Sequence, residues 1–137
     1  MPVTHKILLL STKERVELID ITKSVEEFVG KQAIKDGFCL VYAPHATAAI
    51  IANENEPGLI GDIIKEIEKE FPRNAKWEHN RIDNNAAAHL ASSFIGASRV
   101  FPIIGGKLER GTWQNIFLVE LDGPRNNRRV IIQVMGE

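Results

Sequence analysis

TWQNIFLVELDGPRNNRRVIIQVM, Thr112 to Met135, reads as two strands around one turn. Thr112 to Leu121 and Arg129 to Met135 are rich in β-branched and aromatic residues, and Asp122-Gly123-Pro124 between them is turn chemistry. Arg99 to Ile104 is a third strand, closed by Gly105-Gly106. Turns this short suit hairpins, so the C-terminal half favours a largely antiparallel sheet over a doubly wound parallel one.

The N-terminal half reads the same way. His5 to Leu10 and Arg15 to Ile19 are strands joined by the polar turn Ser11-Thr12-Lys13, an antiparallel start. Thr22 or Ser24 can cap a helix with Val25, Phe28, Val29 and Ala33 on one apolar face, ended by Lys35-Asp36-Gly37 before the strand Phe38 to Tyr42. After Pro57-Gly58, the spacing of Leu59, Ile60, Ile63, Ile64 and Ile67 predicts the clearest helix of the chain, which stops at Phe71-Pro72-Arg73. Asn74 to Asn84 is polar and loop-like, and Asn84-Asn85 can cap a shorter helix from Ala86 to Phe94. Asn85, His89 and Ser92 or Ser93 form a polar stripe on that helix. The expected fold class is α+β, with helices covering one face of the sheet. The other face, bearing Gln114 and His45, is left as a cleft floor or subunit contact.

With 137 residues, 44% of them hydrophobic and 26% charged, the chain suits a single domain spanning residues 1–137 with a core of its own. A net charge of -1 gives no long-range positive field, which argues against nucleic acid as a partner. No stretch approaches the roughly 20 apolar residues needed to span a bilayer, and the first ten residues lack the parts of a signal peptide, so no membrane and a cytoplasmic location are expected. Cys39 is the only cysteine and sits in an apolar run, where a buried, inert thiol is the expectation.

A second stretch, PHATAAIIANEN from Pro44 to Asn55, sets a puzzle. Read as strand, it puts His45, Thr47, Asn53 and Asn55 on one face, yet separates His45 from Asn53 by roughly 26 Å at about 3.3 Å per residue. Either the chain bends, or the two ends serve different sites, or one end meets a neighbouring subunit.

Several residues can carry chemistry. His45, His79 and His89 would suffice for a zinc-type site if they converged, although their spacing matches no compact metal motif. Glu54 and Asp62 suit a general base or a magnesium ligand, and Asp62 in the first turn of its helix would equally complement the helix dipole. The turn from Gly105 to Gln114 can bring backbone amides to a phosphate, or simply make a hairpin. Arg125, Arg128 and Arg129 can grip phosphate oxygens, or form a solvated hairpin tip.

Taken together, HATAAIIANEN, NAAAHLASSFIGAS, GGKLERGTWQNIFLVELDGPR and VIIQVMGE resemble the YjbQ-like family, with the Gly-x-x-x-x-Gly-Thr-Trp-Gln segment at Gly106 to Gln114 the most specific part. The resemblance implies an α+β fold with a largely antiparallel or mixed, half-barrel-like sheet, a homotrimer, and a weak thiamine-phosphate-synthase activity. It implies site residues at His45, Thr47, Asn53, Glu54, Asp62, Asn85, His89, Trp113, Gln114, Glu120 and Arg125. The chain departs from the family pattern at Ala46-Thr47-Ala48-Ala49, where more hydroxyls are expected, and at Ala87, where an acidic residue is expected.

The leading expectation is therefore a transferase joining a pyrimidine methyl diphosphate to a thiazole phosphate. His45, Glu54, Asp62 and His89 are its catalytic candidates. Thr47, Asn53, Asn85, Trp113, Gln114, Glu120 and Arg125 are its candidates for binding a phosphorylated substrate. A divalent metal, magnesium or zinc, is a possible cofactor. The alternatives are a metal-dependent hydrolase using His45 and His89 as ligands, and a non-enzymatic trimeric binder of a phosphorylated metabolite.

Overall fold

A computed structural model describes residues 1–137. The chain orders eight strands and three helices as β1 (Val3–Leu10), β2 (Glu17–Asp20), α1 (Thr22–Lys31), β3 (Gly37–Tyr42), β4 (Ala48–Asn53), α2 (Pro57–Glu70), α3 (Ala86–Ile95), β5 (Ser98–Ile104), β6 (Lys107–Leu108), β7 (Asn115–Glu120) and β8 (Arg128–Gly136). A single 3-10 turn, Glu78–Arg81, lies between α2 and α3. The strands form two sheets, β1-β8-β3-β5-β6 and β2-β7-β4. Every pairing is antiparallel, in a half-barrel-like arrangement.

The stretch that opened the reading is strand, turn, strand, as expected, but it is not a hairpin. β7 pairs with β2 and β4, whereas β8 pairs with β1 and β3, so the connection Leu121 to Asn127 carries the chain from one sheet to the other. The expected N-terminal hairpin fails for the same reason, since β1 and β2 lie in different sheets. Alternation explains why. Ile116 and Leu118 face one way from β7 and Val119 the other, and both sets are fully buried. A strand buried on both faces is the middle of a layered structure and not one arm of a surface ribbon. The one true hairpin joins β5 to β6, a strand too short to be legible, through Gly105 and Gly106 at φ 59° and 80°.

The main core lies between the sheets. Cys39 and Val41 of β3, Phe101 and Ile103 of β5, and Val130, Ile132 and Val134 of β8 meet Ile50 of β4 and Ile116 and Leu118 of β7. The helix α1 closes this core with Val25 and Val29, whereas α2 and α3 cover the far face of the small sheet, where Ala88 and Ala91 pack with Ala49, Val119, Leu121, Ile67 and Phe71. The helices therefore cover two places and not one. Ala33 falls beyond the end of α1 and is exposed.

The helix starts are fixed by neighbours of the expected caps. The Asp20 carboxylate accepts from the Thr22 N–H at 2.9 Å and from its hydroxyl, so neither Thr22 nor Ser24 is the capping side chain. Glu56 accepts from the Gly58 and Leu59 amides, with Pro57 as first helical residue. That earlier start places Asp62 in the second turn of α2, exposed and beyond the dipole's reach. At α3 the Ala86 N–H is taken by Asn80 Oδ1, because the Asn85 side chain is engaged elsewhere.

Leu118→Ala, in the centre of the buried strand, is expected to lower unfolding free energy by about 2–5 kcal/mol. Chemical denaturation measures it.

Candidate active site

Glu120 and Arg128 stand in the inward phase of β7 and β8, with Ile116 and Leu118 before one and Val130 and Ile132 after the other. Their side chains are 0% and 4% exposed and form an ion pair at the end of the inter-sheet core. Arg128 Nε donates to Glu120 Oε1 at 2.9 Å, and its Nη2 donates to Glu120 Oε2. Thr12 Oγ1 donates to Oε1 at 2.7 Å, and the Leu121 and Asp122 amides donate to Oε2 at 3.0 Å each. Arg128 Nη2 also donates to the Thr47 carbonyl and hydroxyl. Burial opposes ionisation of Glu120, but the hydrogen bonds from Arg128, Asp122 and Thr12 outweigh it and hold the carboxyl below its ordinary value.

Of this network, Arg128 lines a cavity of about 360 Å³ together with His45, Pro124, Arg125, Asn126 and Asn127. His45 Nε2 accepts the Arg129 N–H at 2.9 Å, so the neutral ring carries its proton on Nδ1. Burial and the Arg128 charge lower the His45 pKa below 6.5, against the Arg129 hydrogen bond and the Glu120 charge. Arg125 donates its backbone N–H to Thr12 Oγ1 at 2.8 Å, and its Nε and Nη2 to the Asp122 carbonyl and carboxylate, leaving Nη1 free. Asn85 Nδ2 holds the same Asp122 carboxylate at 2.9 Å. The cavity thus offers a neutral imidazole, a fixed guanidinium and two side-chain amides, a set that binds oxyanions and can move a proton at His45.

Other expected residues lie at the opposite end of the small sheet. In the β4–β7 pairing Ala48 faces Glu120 and Asn53 faces Asn115, five residues or roughly 17 Å apart at about 3.3 Å per residue. Asn53 and Gln114 border a separate cavity of about 600 Å³ with Arg99 and Glu109. Gln114 Oε1 accepts the Gly111 N–H at 2.7 Å and shapes the turn, and Trp113 is 69% exposed. Asn55 Nδ2 and Asn115 Nδ2 both donate to Asp20, and Asn53 Oδ1 takes the Glu54 amide. The puzzle of Pro44 to Asn55 therefore resolves within one chain as two ends serving two places. Only Ala48–Asn53 is strand, so His45 and Thr47 belong to the loop before it.

The structure corrects several expected roles. Glu120 and Thr47 are buried, hydrogen-bonded to Arg128 and outside the cavity lining. Arg128 is buried and paired with Glu120 while lining the same cavity as Arg125, and Arg129 is not among the residues of that lining. Glu54 and Asp62 do not accompany Arg125, because β4 separates them from it. His89 meets the partner that spacing could not place, His79, ring against ring at 4.7 Å and 73°, and His45 stands apart against Arg129. No group of three His, Cys, Asp or Glu side chains converges within the chain, so His45, His79 and His89 do not form the three-imidazole cluster. Cys39 is buried as expected, its thiol pushed up to about 12 by burial. Thr12 and the pairing of Arg128 with Glu120 lie outside the motif positions. Two opposite charges in the apolar phase of two adjoining strands were the available signal.

Arg128→Ala is expected to cost about 3–5 kcal/mol, because it strands a buried carboxylate. A carboxyl whose folded pKa is depressed stabilises above its ordinary value of 4.5, and that contribution is lost as pH falls through the folded value. The stability gap between wild type and Glu120→Gln, from urea titrations at stepped pH, should therefore be full at pH 7 and shrink below pH 4.5. In a proton NMR titration the His45 ring should show a midpoint below 6.5, and a midpoint at or above that value would contradict the geometry.

The chain matches the family described as UPF0047 protein YjbQ-like over residues 6–137. It is 45% identical over 137 residues to a UPF0047 protein of Methanothermobacter thermautotrophicus, covering 100% of this chain and 95% of that one. To UPF0047 protein YugU of Bacillus subtilis it is 41% identical over 135 residues, covering 96% and 98%. Among solved structures, a YbjQ-like protein of unknown function from Sulfolobus solfataricus superposes with a TM-score of 0.98 at 51% identity, covering 99% of each chain. A hypothetical protein from Aeropyrum pernix K1 gives 0.92 at 42% identity, covering 100% of each. By coverage and identity, the chain belongs to the YjbQ-like UPF0047 family.

Proposed function

We propose that the chain is an enzyme of thiamine-phosphate-synthase type, acting on phosphorylated small molecules through the His45–Arg125 cavity. The observation that carries this reading is the lining, polar but for Pro124, in which the free Nη1 of Arg125 and the amides of Asn126 and Asn127 suit phosphate oxygens. In the proposed reaction the thiazole nitrogen bonds to the pyrimidine methylene carbon as the bond from that carbon to diphosphate breaks. Arg125 stabilises the leaving diphosphate, and His45 handles protons. The hydrolase reading with His45 and His89 as metal ligands has no support in the geometry, since the two imidazoles keep different company.

The second cavity, at Asn53 and Gln114, enters through self-association, the other part of this proposal. The outer face of the large sheet is exposed and carries two apolar rows on either side of the row His5, Gln133, Leu40 and Val100. Val3, Met135, Phe38 and Pro102 stand side by side across four strands, and Ile7, Ile131 and Tyr42 form a parallel row. A patch of this kind marks an interface, and a cyclic trimer is the assembly proposed to cover it. Such an assembly lets the Asn53–Gln114 end of one subunit complete the His45–Arg125 end of the next. No helix is long and apolar enough to cross a membrane, and the proposed setting is the cytoplasm.

The test is synthesis of thiamine phosphate from the two phosphorylated precursors by wild type, His45→Ala, Gln114→Ala and an equal mixture of the two variants after co-refolding. His45→Ala alone should lose about 100-fold in rate, the lower range of lost acid–base catalysis, and Gln114→Ala alone should also be slower than wild type. The mixture should regain part of it, because some composite sites then carry neither substitution. Phosphate binding without turnover in wild type would instead favour the non-enzymatic binder. No recovery in the mixture would refute the shared site. Phe38→Ser, read by light scattering, should yield smaller particles than wild type.

A further inference from the structure

We propose that Arg15 and Arg73 form a second binding site, for a small organic anion with an apolar group, in the cavity between the end of α2, α3 and the start of β2. This cavity, about 290 Å³, is distinct from the one at His45 and independent of the function proposed there. Its volume lies at the lower end for small-molecule sites. Phe71, Ala87, Ala91 and Leu121 make an apolar floor, and Arg15, Arg73 and Glu68 stand around it.

Two observations point to an anion. Neither guanidinium has a hydrogen-bond or ion-pair partner, for the ion pairs of the chain are Lys23–Glu27, Arg110–Glu26, Arg125–Asp122 and Arg128–Glu120. The two cations also act on each other. Burial first and the Arg73 charge second disfavour the charged form of Arg15, and Asp122 and Glu68 offset this only in part. An oxyanion between the guanidinia would relieve that repulsion and accept donors that have no partner within the protein. The apolar floor selects a ligand whose far end is hydrocarbon or aromatic. Small side chains on α3 leave the room, since Ala87 and Ala91 are 6% and 1% exposed and any longer residue would enter the cavity. Carboxylate and phosphate monoester share the required chemistry, and Glu68 on the rim weighs against the more highly charged of the two.

The test is calorimetry and proton–nitrogen NMR of the full chain with benzoate and phenyl phosphate, beside benzyl alcohol and inorganic phosphate as probes of one feature each. Saturable binding of benzoate or phenyl phosphate, with shifts at Ala87 to Ala91 and Leu121, is expected. Whichever of the two binds more tightly identifies the head group. Affinity should fall about tenfold or more in Arg73→Gln and in Arg15→Gln, and stay unchanged in His45→Ala. Ala91→Met should block binding by filling the cavity. If that variant does not fold, the exposed Arg73 substitution still decides. Benzyl alcohol binding as tightly as benzoate, affinity unchanged from wild type in both arginine variants, loss of binding in His45→Ala, or no saturable binding at millimolar probe would each overturn the proposal.

Discussion

The buried pair of Glu120 and Arg128 is the constraint on which the rest of the molecule turns. Burying two charges costs free energy that is recovered only when every oxygen and N–H finds a partner. Here the partners come from four separate segments: Thr12 after β1, Thr47 before β4, the Leu121 and Asp122 amides, and the start of β8. Because those segments belong to both sheets, satisfying the pair sets how the sheets meet. It also draws the Leu121 to Asn127 connection into a defined path. Gly123 lies so close to the Glu14 carbonyl that a Cβ there would collide with it.

From that path follows the chemistry of the cavity. The Arg125 amide is fixed by the same Thr12 hydroxyl that donates to Glu120, and the Arg125 guanidinium by Asp122, which Asn85 steadies from α3. Burial, and then the Arg128 charge in the cavity lining, favour a neutral His45. A structural ion pair and a candidate proton carrier are thus neighbours in one network. The site is built from the core outward, and its precision comes from groups that never face solvent.

A second consequence is the division of the expected site into two clusters. The motif residues around His45 and those around Gln114 lie at opposite ends of β4 and β7, and the rigid six-residue pairing between them leaves no bend to close the distance. Meanwhile the apolar rows of the outer sheet face solvent in a single chain. Both features are odd for a monomer. They become ordinary if subunits share sites, which is the sense in which the sheet surface and the motif positions bear on each other.

Much of this was legible in the linear sequence. Strand positions followed from alternation and β-branched content, the strong helix from the spacing of Leu59 to Ile67, and the buried Cys39 from its apolar neighbours. Family membership was carried by the segment Gly106 to Gln114. These are local properties, set by steric preference and by which face of one element is apolar. What tertiary structure alone decided were the partnerships: which sheet each strand joins, that Arg128 turns inward while Arg125 stays out, and that His89 meets His79 and not His45. The physical reason is that a strand or helix fixes its own faces by short-range geometry, whereas its neighbour is chosen by satisfying buried area and buried charge over the whole chain. Glu120 and Arg128, eight residues apart but held by hydroxyls from Thr12 and Thr47, could be assigned only once those distant segments were in place.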